Sequence, residues 1–364
     1  MPFLEKIADR YLHMQKRRQK ERKYSLSVIN HLDMLEDRRN PLDAEESDRI
    51  LSVWNKYGKV NLGWFEYLKS TNGFFSPYFI PPDLWQSMVC NTLNQDRRFG
   101  RSIMNDKNFL DVLFPNVKTM PILVRNINGQ FLNQNFELLT QEEAIGLCLK
   151  EEEIVIKPSL DSARAKNVGV FSNKTKNDFV RDIVDYMGKL KKDFVIQAFF
   201  KQHEGLAALN PDSVNTVRVY SLLWNNQVRV LHAVVRIGTK GIRVDNLAAS
   251  NCVACNINSK GVFDEFACDF AGKRCSVLPT GVTLKDYPIP SYDAIVDMVK
   301  HAHCRIPHFR MIGWDTTVDI DGNPIVVEAN MHYPCGALGQ MVSGPMFGEG
   351  ELFTEIMDFV YGKK

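Results

Sequence analysis

Hydrophobic and polar positions along this chain repeat in two periods, and the period changes from segment to segment. Between about residues 105 and 200, short apolar runs of strand character ("MPILVRN", "EEIVIKP", "DFVIQAFF") alternate with helically spaced stretches ("NDKNFLDVLF", "TQEEAIGLCLK", "KNDFVRDIVDYMGKL"). Two longer strands follow, "NTVRVYSLLW" and "QVRVLHAVVRIG", and then the helix "YDAIVDMVKHAH". Upstream, Leu4, Ile7 and Tyr11 repeat at helical spacing, and "DAEESDRILSVWNKYG" reads as a capped helix ending at Gly58. "NGFFSPYFIPPDLW" is a packed connection rich in proline and aromatics. Helices mixed with antiparallel hairpins predict an α+β protein rather than a Rossmann sheet.

The most informative stretch is "GWDTTVDIDGNPIVVEAN", residues 313–330. Asp321-Gly322 suits the positive φ of a type I′ hairpin loop, so Ile320 pairs with Asn323 and Asp315 lands opposite Glu328. Like charges directly opposite on a sheet repel, and in the absence of a cation they raise an apparent pKa of the pair. Something positive belongs between them. Asn330 shares the face by alternation. Two carboxylates and an amide oxygen are hard ligands suited to Mg²⁺; the plain alternative is a solvated hairpin face.

Lys157 ends a strand before Pro158 and the polar loop "SLDSARAKNVGVF", where a lysine and successive backbone N–H groups can hold phosphate. The plain alternative is a surface lysine. Arg218 and Arg236 sit inside apolar strands. Alternation puts Arg218 with Thr216, Tyr220 and Leu222, and Arg236 with Val228, Val230, His232 and Val234. Each guanidinium needs an anion there, either an internal carboxylate or a substrate carboxylate or phosphate.

Composition narrows the class only modestly. With 364 residues, 45% hydrophobic, 24% charged and a net charge of +2, the chain is long enough for two or three domains and gives no argument for nucleic-acid binding. No apolar run has membrane-helix length and no signal peptide is visible, so a cytoplasmic protein is expected. The eight cysteines are then expected to be free thiols. Cys252 and Cys255 have metal spacing but alternate to opposite faces of a strand, which suits one zinc ion poorly. The basic run "KRRQKERK" (16–23) is a solvated helix end, or a contact for an anionic membrane surface or an acidic partner.

Taken together, "DK…IVIKP…VIQAFFKQHE…NTVRV…VVRIG…VDN…GWD…VVEAN" resembles the ATP-grasp superfamily from about Lys107 to Asn330, and its sugar-transfer-associated branch most. "ALNPDSVNTVRVYSL" and "SPYFIPPDLW" resemble that branch in particular, and the carboxylate hairpin has the spacing of D-alanine ligases. The resemblance implies two α+β subdomains clasping ATP: a helical region over 1–104, a nucleotide-binding lid over 105–200, and a catalytic, metal- and substrate-binding subdomain over 201–364. It further implies Lys107 and Lys157 on the ATP phosphates, with Ser162 in the phosphate loop. Gln197, Ala198 and Phe199 form the adenine hinge and Glu204 binds ribose. Asp315, Glu328 and Asn330 hold two Mg²⁺ ions, and Arg218, Arg236 and Asn246 face the acyl substrate. The phosphate loop departs from the family's glycine-rich pattern, keeping only Gly169. The implied reaction is ATP-dependent carboxylate–amine ligation through an acyl-phosphate, in cell-surface polysaccharide biosynthesis. Small-molecule or sugar-linked carboxylates and amines are the substrates. A small-molecule kinase and a non-catalytic nucleotide-binding module are the alternatives.

Overall fold

The apolar runs between residues 120 and 200 become the middle of a six-stranded sheet. The computed structural model describes residues 27–94, 106–160, 167–173, 176–238, 252–331 and 334–363. Strands β1 (Ile122–Ile127), β2 (Gln130–Leu132), β3 (Leu138–Leu139), β4 (Glu153–Pro158), β5 (Gly169–Ser172) and β6 (Phe194–Ala198) lie in the order β3-β2-β1-β6-β4-β5. Their pairings are antiparallel. Val124, Ile154, Ile156, Phe194 and Ile196 bury one face against helices Gln141–Cys148 and Lys176–Leu190, through Ala144, Cys148, Phe179, Ile183 and Met187. The first of these helices starts at a reciprocal cap between Thr140 and Glu143. Alternation turns Val155, Lys157, Val195 and Gln197 to the other face, where Val155 pairs with Gln197 and Lys157 with Val195.

The second sheet is built from β7 (Thr216–Trp224), β8 (Gln227–Gly238), β9 (Cys252–Ile257), β10 (Phe263–Cys268), β11 (Arg274–Cys275), β12 (Met311–Val318) and β13 (Pro324–Asn330). Its order is β11-β10-β9-β8-β7-β12-β13. Val217, Val219, Val235, Ile312 and Trp314 pack one face onto Ile295, Val299 and Ala302 of helix Tyr292–His303. Burying each such side chain contributes about 1.5–3 kcal/mol. The polar atoms in this layer are matched. Trp314 Nε1 donates to Ser221 Oγ at 2.8 Å, and that oxygen lies 2.7 Å from His303 Nδ1. Burial lowers the His303 imidazole to about 4, so it stays neutral at neutral pH.

Two β-bulges change which residues share a face. The first lies between β7 and β8, where Tyr220 pairs with His232 but Ser221 pairs with Val230. Leu231 is the extra residue, and Val230 packs against the helix-covered core. Strict alternation had put Val230 and Val228 on the Arg236 face; the bulge breaks that phase. The second lies in the carboxylate hairpin. The turn is not the expected type I′ loop. Gly322 N–H bonds Asp319 O at 3.0 Å, Asp319 N–H bonds Asn323 O at 3.0 Å, and Gly322 has φ +82°. This is a three-residue loop of the type I plus glycine class, and the Asp319 carboxylate fixes it by accepting from Asp321 and Asn323 N–H. Such a loop sets Val318 against Pro324 and Thr316 against Val326. Continued, it would put Val327 opposite Asp315. An extra residue, Val327, restores the pairing of Asp315 with Glu328. The predicted pairing of Asp315 with Glu328 is therefore present, reached through two offsetting irregularities, while the predicted pairing of Ile320 with Asn323 is not.

The chain divides into two units: Met1–Val89 with Cys268–Arg274 and Gly336–Lys364, and Cys90–Ala267 with Cys275–Cys335. The C-terminal stretch, expected with the catalytic strands of 201–364, groups with the helical unit instead. Its helices Gly336–Ser343 and Glu351–Tyr361 carry buried apolar residues, and Phe353 stacks edge-on to Trp54, Tyr57 and Tyr78. Buried Gln340 brackets Ile80, donating to its carbonyl at 2.9 Å and accepting from its N–H at 2.8 Å. The "FIPP" connection is packed, as expected, with Phe79 and Ile80 fully buried. No helix of the described residues is long and apolar enough to cross a membrane. The basic run 16–23 lies outside the described residues.

Candidate functional site

Pairing across three strands gathers the charged residues. Asp315 of β12 sits directly opposite Arg218 of β7, and Thr216 of β7 sits opposite Arg236 of β8. Directly paired residues point to the same face, so the face away from the helix carries all four. Arg218 grips Asp315 with two parallel bonds, Nε to Oδ1 at 2.6 Å and Nη2 to Oδ2 at 2.8 Å. Arg236 crosses over Thr216, donating to its hydroxyl at 2.6 and 3.1 Å, and brings Nη2 to 3.2 Å from Asp315 Oδ1. Asn330 adds a bond to Oδ2 at 3.3 Å.

The electrostatics follow from this geometry. Burial alone would raise the Asp315 carboxyl, but the Arg218 and Arg236 guanidiniums outweigh it and hold the group at about 2. Burial likewise works against the Arg218 charge, and Asp315 more than compensates, raising it above its ordinary value. The expectation that repulsion from Glu328 raises a pKa of the pair is thus overturned at Asp315. Protein cations already supply the positive charge that the facing carboxylates require.

Glu328 has a different environment. Its side chain is 32% exposed against 5% for Asp315, and Lys107 Nζ lies 3.0 Å from its Oε1. Lys107 opens a short turn, Lys107–Phe109, capped by the Asp106 carboxylate on Asn108 N–H at 2.9 Å. The Lys107 N–H bonds Ser159 O at 3.1 Å, which ties this turn to the end of β4. Lys157 projects from β4 into the same region. Burial first, and the Lys107 ammonium second, lower it to about 8 despite the pull of Glu328 and Asp315. Lys157 makes no ion pair among the described residues.

The remaining sequence candidates fall as follows. Gln197 is buried on the Lys157 face of β6, Ala198 pairs with Ile154, and Phe199 N–H bonds Glu153 O at 2.9 Å. Glu204 begins the one-turn helix Glu204–Ala207, with its side chain exposed. Ser162 and Asn246 lie outside the described residues, as do the other residues of 161–166 in the phosphate loop. Arg236 is not an unused, solvated arginine; it has the internal carboxylate partner that was the alternative.

One residue was overlooked in the sequence. Arg125 of β1 is fully buried. It donates to Asn108 O and pairs both Asp111 oxygens, at 3.1 and 2.5 Å. Its guanidinium lies 4.2 Å from the centre of the Phe136 ring. It fastens the turn that carries Lys107. An arginine inside an apolar run, the signal used for Arg218, is equally present in "ILVRNI".

Asp315, Glu328 and Asn330 are a hard-oxygen set of the kind Mg²⁺ takes, and Glu328 is open enough to offer an oxygen. Asp315 would have to give up a guanidinium to do so. Groups of three or more His, Cys, Asp or Glu positioned for a metal are not found among the described residues, Cys252 and Cys255 included.

The crystal structure of D-cycloserine synthetase DcsG is similar over 87% of this chain and 94% of that one, at 13% identity and a TM-score of 0.46. An L-amino acid ligase from Bacillus licheniformis matches 71% of this chain, which spans about half (48%) of that enzyme, at 14% identity and a TM-score of 0.38. D-alanine–D-alanine ligase from Bacillus anthracis matches over 77% and 78% of the two chains, at 12% identity and a TM-score of 0.39. No curated protein matches. The sequence profile described as sugar-transfer associated ATP-grasp covers residues 148–349. That match spans more than half of the 364 residues and takes in Lys157, both arginines and the carboxylate hairpin, so the chain belongs to the sugar-transfer associated ATP-grasp family, with an α+β fold and a helical N-terminal region.

Proposed function

We propose that this protein is an ATP-dependent ligase joining a carboxylate to an amine through an acyl-phosphate. The observation that carries this reading is the convergence of four cations, Lys107, Lys157, Arg218 and Arg236, on two carboxylates, Asp315 and Glu328. Among the described residues two positive charges remain in excess, and one of the cations, Lys157, makes no ion pair. A site with that balance favours polyanions. Lys107 and Lys157 would hold phosphate oxygens as point charges. Gln197, Ala198 and Phe199 would flank the adenine, Glu204 the ribose, and Ser162 the phosphate loop.

Asp315, Glu328 and Asn330 would hold Mg²⁺, two ions in this reading, which supplies charge neutralisation between the nucleotide phosphates. The arginines would orient the acid and stabilise charge developing on the transferring phosphoryl group, with Asn246 beside them. A side-chain nucleophile is not required, because phosphoryl transfer rests on positioning and electrostatics. The family's name supports a setting in cell-surface polysaccharide assembly, with an amino acid joined to a sugar. A cytoplasmic location, and contact of the basic 16–23 run with a membrane surface or a glycan-assembly partner, belong to the same reading.

The test is release of ADP and phosphate from Mg-ATP across a panel of amino acids paired with uronic-acid sugar nucleotides. Equimolar ADP and phosphate that require both an acid and an amine are expected. ADP with a stable phosphorylated product and no free phosphate would make it a kinase instead; absence of nucleotide binding would reduce it to neither.

A further inference from the structure

The three hydrogen bonds and one ion pair around Asp315 have a consequence for the order of binding. A carboxylate offers about four acceptor positions. Here Oδ1 takes Arg218 Nε at 2.6 Å and Arg236 Nη2 at 3.2 Å, while Oδ2 takes Arg218 Nη2 at 2.8 Å and Asn330 Nδ2 at 3.3 Å. Both oxygens are engaged. A cation that is to share Asp315 competes with these donors.

The two arginines differ in what holds them besides Asp315. Arg236 has a second anchor, two bonds to the Thr216 hydroxyl. Among the described residues, both hydrogen bonds of the Arg218 guanidinium go to Asp315. Arg218 also lies beside an aromatic ring. Two residues along β7, the Tyr220 ring centre lies 6.0 Å from its guanidinium carbon, within range of a cation–π contact, and Tyr220 is held by its hydroxyl on Cys335 O at 2.5 Å. Gly313 faces Tyr220 across β7 and β12. A Cβ at Gly313 would stand 3.5 Å from Arg218 Cδ, in van der Waals contact with the arginine stem, and 3.1 Å from Pro334 Cβ, a tight contact, so the glycine keeps a neighbour off the stem on that side.

We propose that Arg218 is an exchangeable counter-cation. It neutralises Asp315 in the free protein, and it is released toward the acyl substrate when a metal–nucleotide complex claims that carboxylate. This rests on the ligase reading above. A guanidinium as buried as Arg218 needs an anion wherever it goes. Its release would therefore create the anion site for the acid only after nucleotide has bound, and binding is ordered: nucleotide with metal first, carboxylate second.

The probe is Mn²⁺ titrated into full-length protein at saturating ADP, followed by electron paramagnetic resonance, with metal-free ADP affinity measured in parallel. Removing the competitor in Arg218→Met is expected to tighten Mn²⁺ binding by roughly tenfold, a difference of about 1.4 kcal/mol, beyond any change in metal-free ADP affinity measured on the same variant. Gly313→Ala, which sets a Cβ against the Arg218 stem, is expected to hinder its displacement and so weaken Mn²⁺ binding, and it decides the matter alone if Arg218→Met does not fold. Unchanged or weaker Mn²⁺ binding in Arg218→Met, or unchanged binding in Gly313→Ala, overturns the exchange while leaving the nucleotide site intact. Wild-type protein that binds no ADP at all would overturn the ligase reading as well.

Discussion

The Asp315 corner and the Lys157 end of β4 carry opposite charges and opposite degrees of satisfaction. Asp315 is surrounded by donors on both oxygens and held at about 2. Lys157 has its charge disfavoured by burial and by Lys107, stands at about 8, and makes no ion pair among the described residues. The first region is complete without a ligand, and its charges are part of folding. The second is left, among the described residues, with an ammonium that no carboxylate pairs. One site can thus mix groups whose removal harms stability with groups whose removal harms binding, and a variant at each should separate the two.

The largest expected effect is on the held side. Arg218→Met leaves Asp315 buried with its principal partner gone, and should lower unfolding stability in urea by about 3–5 kcal/mol. A loss near zero would mean that the corner is solvated and the contrast false. Arg236→Met should cost less, about 1 kcal/mol, because Asp315 keeps the two-pronged Arg218 bond and the loss is closer to that of ordinary hydrogen bonds. Equal losses for the two arginines would show that Arg236, not its neighbour, shares the burden.

A pH experiment sharpens the comparison from the other side. Bound phosphate favours charged Lys157 and so raises a pKa that burial has lowered to about 8. Nucleotide affinity should then be full below that value and fall as pH rises through it, by up to about tenfold per pH unit for one linked proton. Lys157→Arg, which stays charged, should remove the inflection. Asp315, at about 2, should contribute nothing to the profile between pH 5 and 9. A wild-type profile that stays flat across pH 8 would place the ligand elsewhere.

Much of this was legible in the sequence, for identifiable reasons. Helix Lys176–Leu190 matches the expected segment because its apolar spacing is regular, and β4, β6, β7 and β8 are apolar runs bounded by polar turns. The facing of Asp315 and Glu328 was legible, but its derivation was not. The sequence pattern points to a two-residue loop, whereas the Asp319 carboxylate closes a three-residue one, and Val327 bulges to restore the register. Bulges are set by tertiary packing and leave little trace in a hydrophobic pattern, which is also why Val230 was put on the wrong face. The sequence could state that Asp315 needs a cation and that Arg218 needs an anion. It could not state that they satisfy each other, because that depends on β7 lying beside β12, a pairing between residues nearly a hundred positions apart. Arg125 was missed only because no partner was sought for it. The grouping of residues 336–363 with the helical unit depends on long-range packing of apolar helix faces that no local pattern specifies.

The most direct test pairs calorimetric titration of Mg-ADP at pH 7 with urea melts, on wild-type protein and on Lys157→Met. Replacing a charge that serves a ligand rather than the fold should leave unfolding stability within about 0.5 kcal/mol of wild type, or slightly improve it, since the buried ammonium is a desolvation cost. Affinity should fall by at least about tenfold, the loss of one charge-assisted bond to phosphate. Equal Mg-ADP affinity in the two proteins, or a loss of binding that only tracks a loss of folding, would contradict the assignment of this end of β4 to the nucleotide.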